Sequence, residues 1–226
     1  MLIVLEGLDG AGKSTQVRKL REYLTERCGG VEYIHFPRYE APVYGELISR
    51  FLRGEFGSNG EVHPQLVALL FAEDRHGAGP GIKKALREGK TVLLDRYVYS
   101  NIAYQCAKLS DKEAQRNLRE WIFNTEYGEF DLPRPELNLY LDVPIDFVEK
   151  SLTHQRQGGD RAYLEGEKDI HEADLEFQRK VRSIYLEETR RDSNFLRIDC
   201  SDDEGAMLPP DDIFARIRKK IEAYLG

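Results

Sequence analysis

Apolar positions along the chain follow two periods. Short runs rich in apolar residues, Leu2–Leu5, Val31–Phe36, Thr91–Leu94, Leu137–Leu141 and Phe195–Ile198, predict five β-strands buried within a sheet. Between them the spacing turns helical. Val17, Leu20, Leu24 and Cys28 share one face while Arg18, Lys19, Glu22 and Glu26 face away, a helix that ends at Gly29-Gly30. Leu47, Ile48 and Phe51 mark a second helix, and Gly54–Gly60 a loop. Pro64 suits the first turn of a helix running through Leu70 towards Arg75, and Ile82 and Leu86 predict a separate short helix closed by Gly89. A further helix is predicted from about Asp111, with Ser110 and Glu113 spaced as a capping box and Leu118, Trp121, Ile122 and Thr125 on its inner face. Pro144 opens another; Val181, Ile184 and Tyr185 place a long helix over roughly 172–191, and Ile213, Ile217 and Ile221 define the last.

Strands alternating with helices imply βαβ units and a parallel sheet covered on both faces, an α/β fold of three layers. No repeat or low-complexity linker interrupts the pattern, so residues 1–226 are expected to form a single domain. Ligands of such sheets sit beyond the carboxyl ends of the strands. Residues 7–15, Phe36, Asp95 and the polar 199–204 loop all fall there.

Composition narrows the classes. Lys and Arg total 33 against 40 Asp and Glu, a net charge of −7, with basic residues scattered among acidic ones, which disfavours a general nucleic-acid binder. Cys28, Cys106 and Cys200 fit neither a metal knuckle nor a redox pair, and no histidine has metal-ligand spacing with another His or Cys. Met1 leads directly into the first strand and no long apolar run follows, so the expectation is a cytoplasmic protein without a membrane anchor.

The first strand runs into Gly7-Leu8-Asp9-Gly10-Ala11-Gly12-Lys13-Ser14-Thr15, which satisfies the phosphate-loop pattern G-x-x-x-x-G-K-[ST]. Its glycines let backbone N–H groups wrap an anion, and the helix behind adds the positive end of its dipole. Lys13 would reach the β- and γ-phosphates of a nucleoside triphosphate, and Ser14 would offer its hydroxyl to Mg²⁺. The fold is therefore expected to be a P-loop NTPase fold with a five-stranded parallel sheet flanked by helices. A GTPase needs N-K-x-D to read guanine, and no Asn-Lys pair occurs; a motor or transport ATPase commonly follows its strand-end Asp with Glu, whereas Asp95 precedes Arg96. A kinase, with a second pocket and water excluded, fits what remains.

The segment Asp95-Arg96-Tyr97, Ser100-Asn101 and Ala103-Tyr104-Gln105 resembles the acceptor site of thymidylate kinases, bacterial dTMP kinases above all. Three other pieces agree in the family's order: GLDGAGKST, Phe36-Pro37-Arg38-Tyr39 and LLFAEDR at 69–75. The resemblance implies ATP-dependent conversion of dTMP to dTDP on the way to dTTP. It implies that Asp9 accepts a hydrogen bond from the deoxyribose 3′-hydroxyl, Phe71 stacks on thymine and Arg75 donates to its O4. Arg96 and Tyr39 would hold the acceptor phosphate, with Phe36 and Pro37 as the adjoining wall. Asn101 would reach base or phosphate, Tyr104 would exclude a ribose 2′-hydroxyl, and Gln105 belongs to the same set. Asp95 is either the carboxylate beside Mg²⁺, directly or through water, or the group that orients Arg96.

Thymidylate kinases carry a catalytic arginine either in the phosphate loop or in a lid. Gly10 stands where the first layout has it, so the lid stretch from His154 to about Glu172 is expected to supply it as Arg156, with Arg161 assisting. Asp169, His171 and Glu172 follow where related enzymes place acceptor-side polar groups. Adenine would meet the 199–204 loop. The resemblance also implies a homodimer, built by the Trp121 helix or the Phe71 helix. Other readings of the residues are a kinase for another nucleoside monophosphate or a deoxynucleoside, and a nucleotide-binding regulator without turnover.

Overall fold

A computed structural model describes residues 1–153, 163–164, 169–172 and 174–225. Five parallel strands form one sheet in the order β2-β3-β1-β4-β5: β1 Leu2–Gly7, β2 Val31–His35, β3 Thr91–Asp95, β4 Leu137–Asp142 and β5 Phe195–Asp199. The three central strands are buried along their whole length, the polar Glu6, Asp95, Asn138 and Asp142 included, while β2 at one edge is only partly covered. Register matters for the site. Leu5 pairs with Asp95 and Asp95 in turn with His35, so three strands end side by side beneath the phosphate loop.

Helices α1 (Lys13–Cys28) and α8 (Pro210–Leu225) pack together. A second group comprises α2 (Tyr44–Leu52), α3 (Pro64–Arg87), α4 (Val98–Cys106), α5 (Lys112–Phe123) and α7 (Leu175–Arg191), with α6 (Ile145–Thr153) following β4. The main core lies around the sheet. A smaller cluster of Ile48, Phe51, Leu52 and Val67, joined by Tyr39, Phe71 and Ile170, sits between α2 and α3. Each buried side chain of this kind contributes roughly 1.5–3 kcal/mol, so the smaller cluster is enough to hold α2 on α3 and shape a wall there.

The helices depart from the sequence pattern in five places. The expected helix at Pro64 and the short one at Ile82 are one continuous element, α3, with Pro80 inside it. Small residues permit this packing: a Cβ on Gly79 would come within 3.1 Å of Leu132, and one on Gly77 within 3.0 Å of the Arg38 guanidinium. The acceptor motif forms its own helix, α4, whose nine residues are all buried. The cap of α5 is Asp111, which accepts from the Ala114 N–H, rather than Ser110. Finally, α5 runs on into a π-helical turn, Asn124–Glu129, and α7 begins at Leu175, capped by Asp174.

Candidate active site

The phosphate loop has the backbone its glycines predict. Gly10 and Gly12 lie at φ 78° and 74°, a region costly for other residues, and Gly12 caps α1. Lys13 folds back along the loop and donates to the carbonyls of Leu8 (2.8 Å) and Gly7 (3.3 Å). Gly10, Ala11, Gly12, Lys13 and Ser14 line an open cleft of about 920 Å³ that also reaches Asp95 and Arg96. Gly7 and Leu8 serve this site through backbone: Leu8's side chain is core, and Thr15 belongs to the first turn of α1.

Asp95 ends β3 beside this cleft. His35 approaches its Oδ2 at 3.2 Å, while Oδ1 is buried without a protein partner. Burial pushes the Asp95 carboxyl up, but the His35 contact and the charges of Lys13 and Arg96 outweigh it and hold the group below its ordinary value. A carboxylate oxygen left without a protein partner, in a residue that lines the same cleft as Lys13 and Ser14, suits Mg²⁺, which takes oxygen ligands, keeps several waters and leans on substrate phosphates. Among the described residues no cluster of three His, Cys, Asp or Glu side chains forms a dedicated cage.

Arg96 takes the unusual φ of 67° for a non-glycine residue, which costs of order 1–3 kcal/mol unless the surroundings compel it. They do. Its N–H donates to Leu5 O (2.9 Å), and its guanidinium donates to Gly7 O (3.0 Å), to the Ser100 hydroxyl and to Asp9 Oδ1. Next to it the wholly buried Glu6 caps α4 from the neighbouring strand: it accepts from the N–H groups of Tyr97 (2.9 Å) and Ser100 (3.2 Å), from the Ser100 hydroxyl and from Tyr185 Oη (3.0 Å). A carboxylate at a helix N-terminus satisfies amides that would otherwise lie unpaired, and burial still leaves the Glu6 carboxyl above its usual range.

Asp9 ties the two halves of the site together. Besides Arg96 it accepts from Tyr104 Oη (2.7 Å) and from Gln178 Nε2 (3.1 Å) on α7. Burial opposes its ionisation, yet Arg96 and Lys13 keep the carboxyl far below the normal range, so it is an anion. Tyr104 also lies beneath the Arg96 guanidinium, 5.2 Å from charge to ring centroid.

Every residue of the expected acceptor set, Asp9, Phe36, Pro37, Tyr39, Phe71, Arg75, Arg96, Asn101, Tyr104 and Gln105, lines one pocket next to the phosphate loop. Arg75 is not the surface group its position four residues after Phe71 leaves open. It is 2% exposed, and Glu126 of the π-helical turn grips Nε and one Nη (2.7 Å for the latter). Glu126 also accepts from Asn101 Nδ2 (2.9 Å), which leaves Asn101 Oδ1 buried and unpartnered at the pocket wall. Arg38 is bound by Asp74 through its backbone N–H and its side chain, which fixes the turn that presents Tyr39.

Opposite stand Tyr163, Asp169 and His171. The Tyr39 and Tyr163 rings stack at 3.9 Å, and Asp169 accepts from Tyr163 Oη and from the His171 N–H, both at 2.7 Å. Burial, then the nearby Asp9 charge, pushes Asp169 up to about 7. Burial and the Lys108 charge push His171 down to about 3, so its ring is neutral. The expected lid arginines Arg156 and Arg161 lie outside the described residues. The 199–204 loop is tied to α8, where Arg216 donates to Asp199 O (2.7 Å), and is not among the residues lining the cleft.

Sequence reasoning passed over Glu6, Asp74, Glu126 and Gln178. A charged residue wedged between the apolar run Leu2–Leu5 and Gly7 was a usable signal for Glu6; the others pair across 36 to 169 positions and had none.

A phosphate-binding loop facing a second pocket, with an arginine and an aspartate shared between them, defines an ATP-dependent kinase of the nucleoside monophosphate class. The comparisons specify it further. The thymidylate kinase family model matches residues 5–207, and the chain belongs to that family. The thymidylate kinase of Mycobacterium tuberculosis is 35% identical over 188 residues, 83% of this chain and 85% of the relative. That of Fervidobacterium nodosum is 30% identical over the full length of both. A solved thymidylate kinase from Candida albicans shares the fold with a TM-score of 0.70 at 27% identity, covering 99% of this chain and 91% of its own.

Proposed function

We propose that this enzyme transfers the γ-phosphoryl group of ATP to dTMP, giving dTDP for dTTP synthesis, with the residues described above in named roles. The observation that carries the reading is the Asp9 carboxylate, which belongs to the phosphate loop yet is held by Arg96, Tyr104 and Gln178 of the acceptor pocket. The acceptor is already an anionic phosphate oxygen, so no strong base is needed and catalysis reduces to positioning and charge stabilisation. Lys13 and the loop N–H groups hold the donor phosphates. Arg96 and Tyr39 hold the acceptor phosphate in line, and Arg96 moves little because five contacts already set it. Phe71 and Arg75 read thymine, with Glu126 aiming the guanidinium, and Tyr104 closes the space at C2′. Mg²⁺, held through Ser14 and Asp95, would neutralise charge between the donor phosphates. Arg156 would add the last positive charge from the lid.

The oligomer is proposed to be a homodimer through α3 rather than the Trp121 helix. Leu66 and Leu69 of α3 stand exposed (64% and 36%) with Phe56 and Val43 also uncovered, whereas Trp121 packs against the core. A coupled ADP-release assay across all nucleoside monophosphates tests the substrate: dTMP should lead by at least tenfold in kcat/KM. A preference for dUMP, UMP or dGMP would reject the thymine reading and leave the kinase class standing.

A further inference from the structure

We propose that His35 is a positioning residue for phosphoryl transfer: its imidazole holds one oxygen of Asp95 so that the other stays open to the metal-bound donor phosphates. The inference rests on the proposed role of Asp95.

The geometry begins in the sheet. His35 and Asp95 are direct partners in the parallel ladder and each is the last residue of its strand, so their side chains leave the sheet on the same face. His35 Nδ1 lies 3.2 Å from Asp95 Oδ2, whereas Asp95 Oδ1 is buried with no partner. Two cations, Lys13 and Arg96, act on the same carboxylate. A carboxylate free to rotate would turn towards them and spend both oxygens on the protein. The His35 imidazole, with the Tyr33 hydroxyl beside it on the same face of β2, holds the carboxylate from the far side instead. A neutral imidazole protonated at Nδ1 is sufficient, and no change of charge is involved. His35 itself contributes little to the core: its side chain is 40% exposed, at the end of an edge strand, and it lines the donor cleft with Lys13, Ser14 and Asp95. Misplacing a group at a reacting centre by about 1 Å costs of order 10²-fold in rate, and a swung Asp95 is an error of that size.

The test uses two variants of nearly equal size, His35→Asn, which keeps an N–H donor near the Nδ1 position, and His35→Leu, which does not. His35→Leu should lower kcat by 10- to 100-fold, change KM for dTMP less than threefold and raise the Mg²⁺ concentration for half-maximal rate at least fivefold. His35→Asn should stay within threefold of the parent in each. Independently of turnover, Mn²⁺ binding to the enzyme–ADP complex, read by electron paramagnetic resonance, should weaken at least fivefold in His35→Leu, while metal-free ADP binds as in the parent. Equal behaviour of the Leu and Asn variants in metal binding, whether both normal or both impaired, overturns the proposal, because the donor would then not matter. If instead the Asp95→Asn variant binds Mn²⁺ as tightly as the parent, the role of Asp95 is what fails. Should His35→Leu not fold, the pair His35→Gln and His35→Met repeats the comparison at equal length.

Discussion

Replacing Glu126 by glutamine separates the two functions that meet at Arg75. In the folded protein Glu126 is 0% exposed and Arg75 2%, and the pair is bidentate. Removing one charge leaves the guanidinium buried without its counter-ion, a change that typically costs about 3–5 kcal/mol. For a chain of 226 residues each kcal/mol lowers Tm by roughly 2 °C, so Glu126→Gln should melt about 6–10 °C below the parent. The guanidinium then relaxes, and Asn101, which shares the same carboxylate, loses its anchor. Loss of one charge-assisted hydrogen bond to the base is worth about 1.5–3 kcal/mol, a rise in KM for dTMP of roughly 10- to 150-fold, with KM for ATP within threefold. Differential scanning fluorimetry and steady-state kinetics read the two effects. The double variant Arg75→Met with Glu126→Leu, which replaces the pair by apolar groups of similar bulk, should recover most of the melting temperature and none of the dTMP affinity. A Glu126→Gln enzyme with reduced Tm but unchanged KM would refute the reading of Arg75 as a base contact. One unchanged in both would refute the energetic reasoning itself.

Three further outcomes are expected. Asp169, pushed up to about 7 in the fold, binds a proton that the unfolded chain releases near pH 4; its contribution to stability is therefore complete below about pH 4 and is lost as pH rises to 7, at up to about 1.4 kcal/mol per unit. Asp169→Asn should accordingly raise Tm at pH 8 and leave it unchanged at pH 4, by calorimetry at both values. Gly45→Ala should destabilise by about 1–3 kcal/mol in urea titrations and raise KM for dTMP several-fold, because the new Cβ would lie 2.4 Å from Tyr39 O and 2.6 Å from Arg38 O and must displace the turn that presents Tyr39. Arg156→Ala should cut kcat by about 10³-fold with dTMP affinity within threefold, and an unchanged turnover number would remove Arg156 from the mechanism.

What could be read in the sequence was local. The phosphate loop, the five strands and the aromatic and basic residues around Asp95-Arg96 each declare themselves within about ten residues, and the parallel topology then brings the loop and Asp95-Arg96 to the same end of the sheet, beyond the carboxyl ends of its strands. α4 was hidden because all nine of its residues are buried, so no polar face breaks the pattern with a period of 3.6. α3 was divided in two because Gly77, Gly79, Pro80 and Gly81 read as a break, whereas close packing against Arg38 and Leu132 carries the helix through them. Buried charges were least visible. Whether Glu126 faces solvent or Arg75 is decided by a contact 51 residues away, and nothing in either neighbourhood announces it.

Glu6 has a consequence for how the molecule is made. It lies in β1, ahead of the other four strands and at the threshold of the phosphate loop, yet its four donors come from residues 97, 100 and 185. β1 itself pairs with β3 on one side and β4 on the other. On the ribosome, then, the segment that will bind the nucleotide emerges ahead of its partners and waits, its carboxylate solvated and both edges open, until the 179 residues that lead to Tyr185 have followed. β1 precedes its partner strands in synthesis yet is among the last elements to reach its final surroundings, and a fragment that ends before Tyr185 cannot carry a finished nucleotide site.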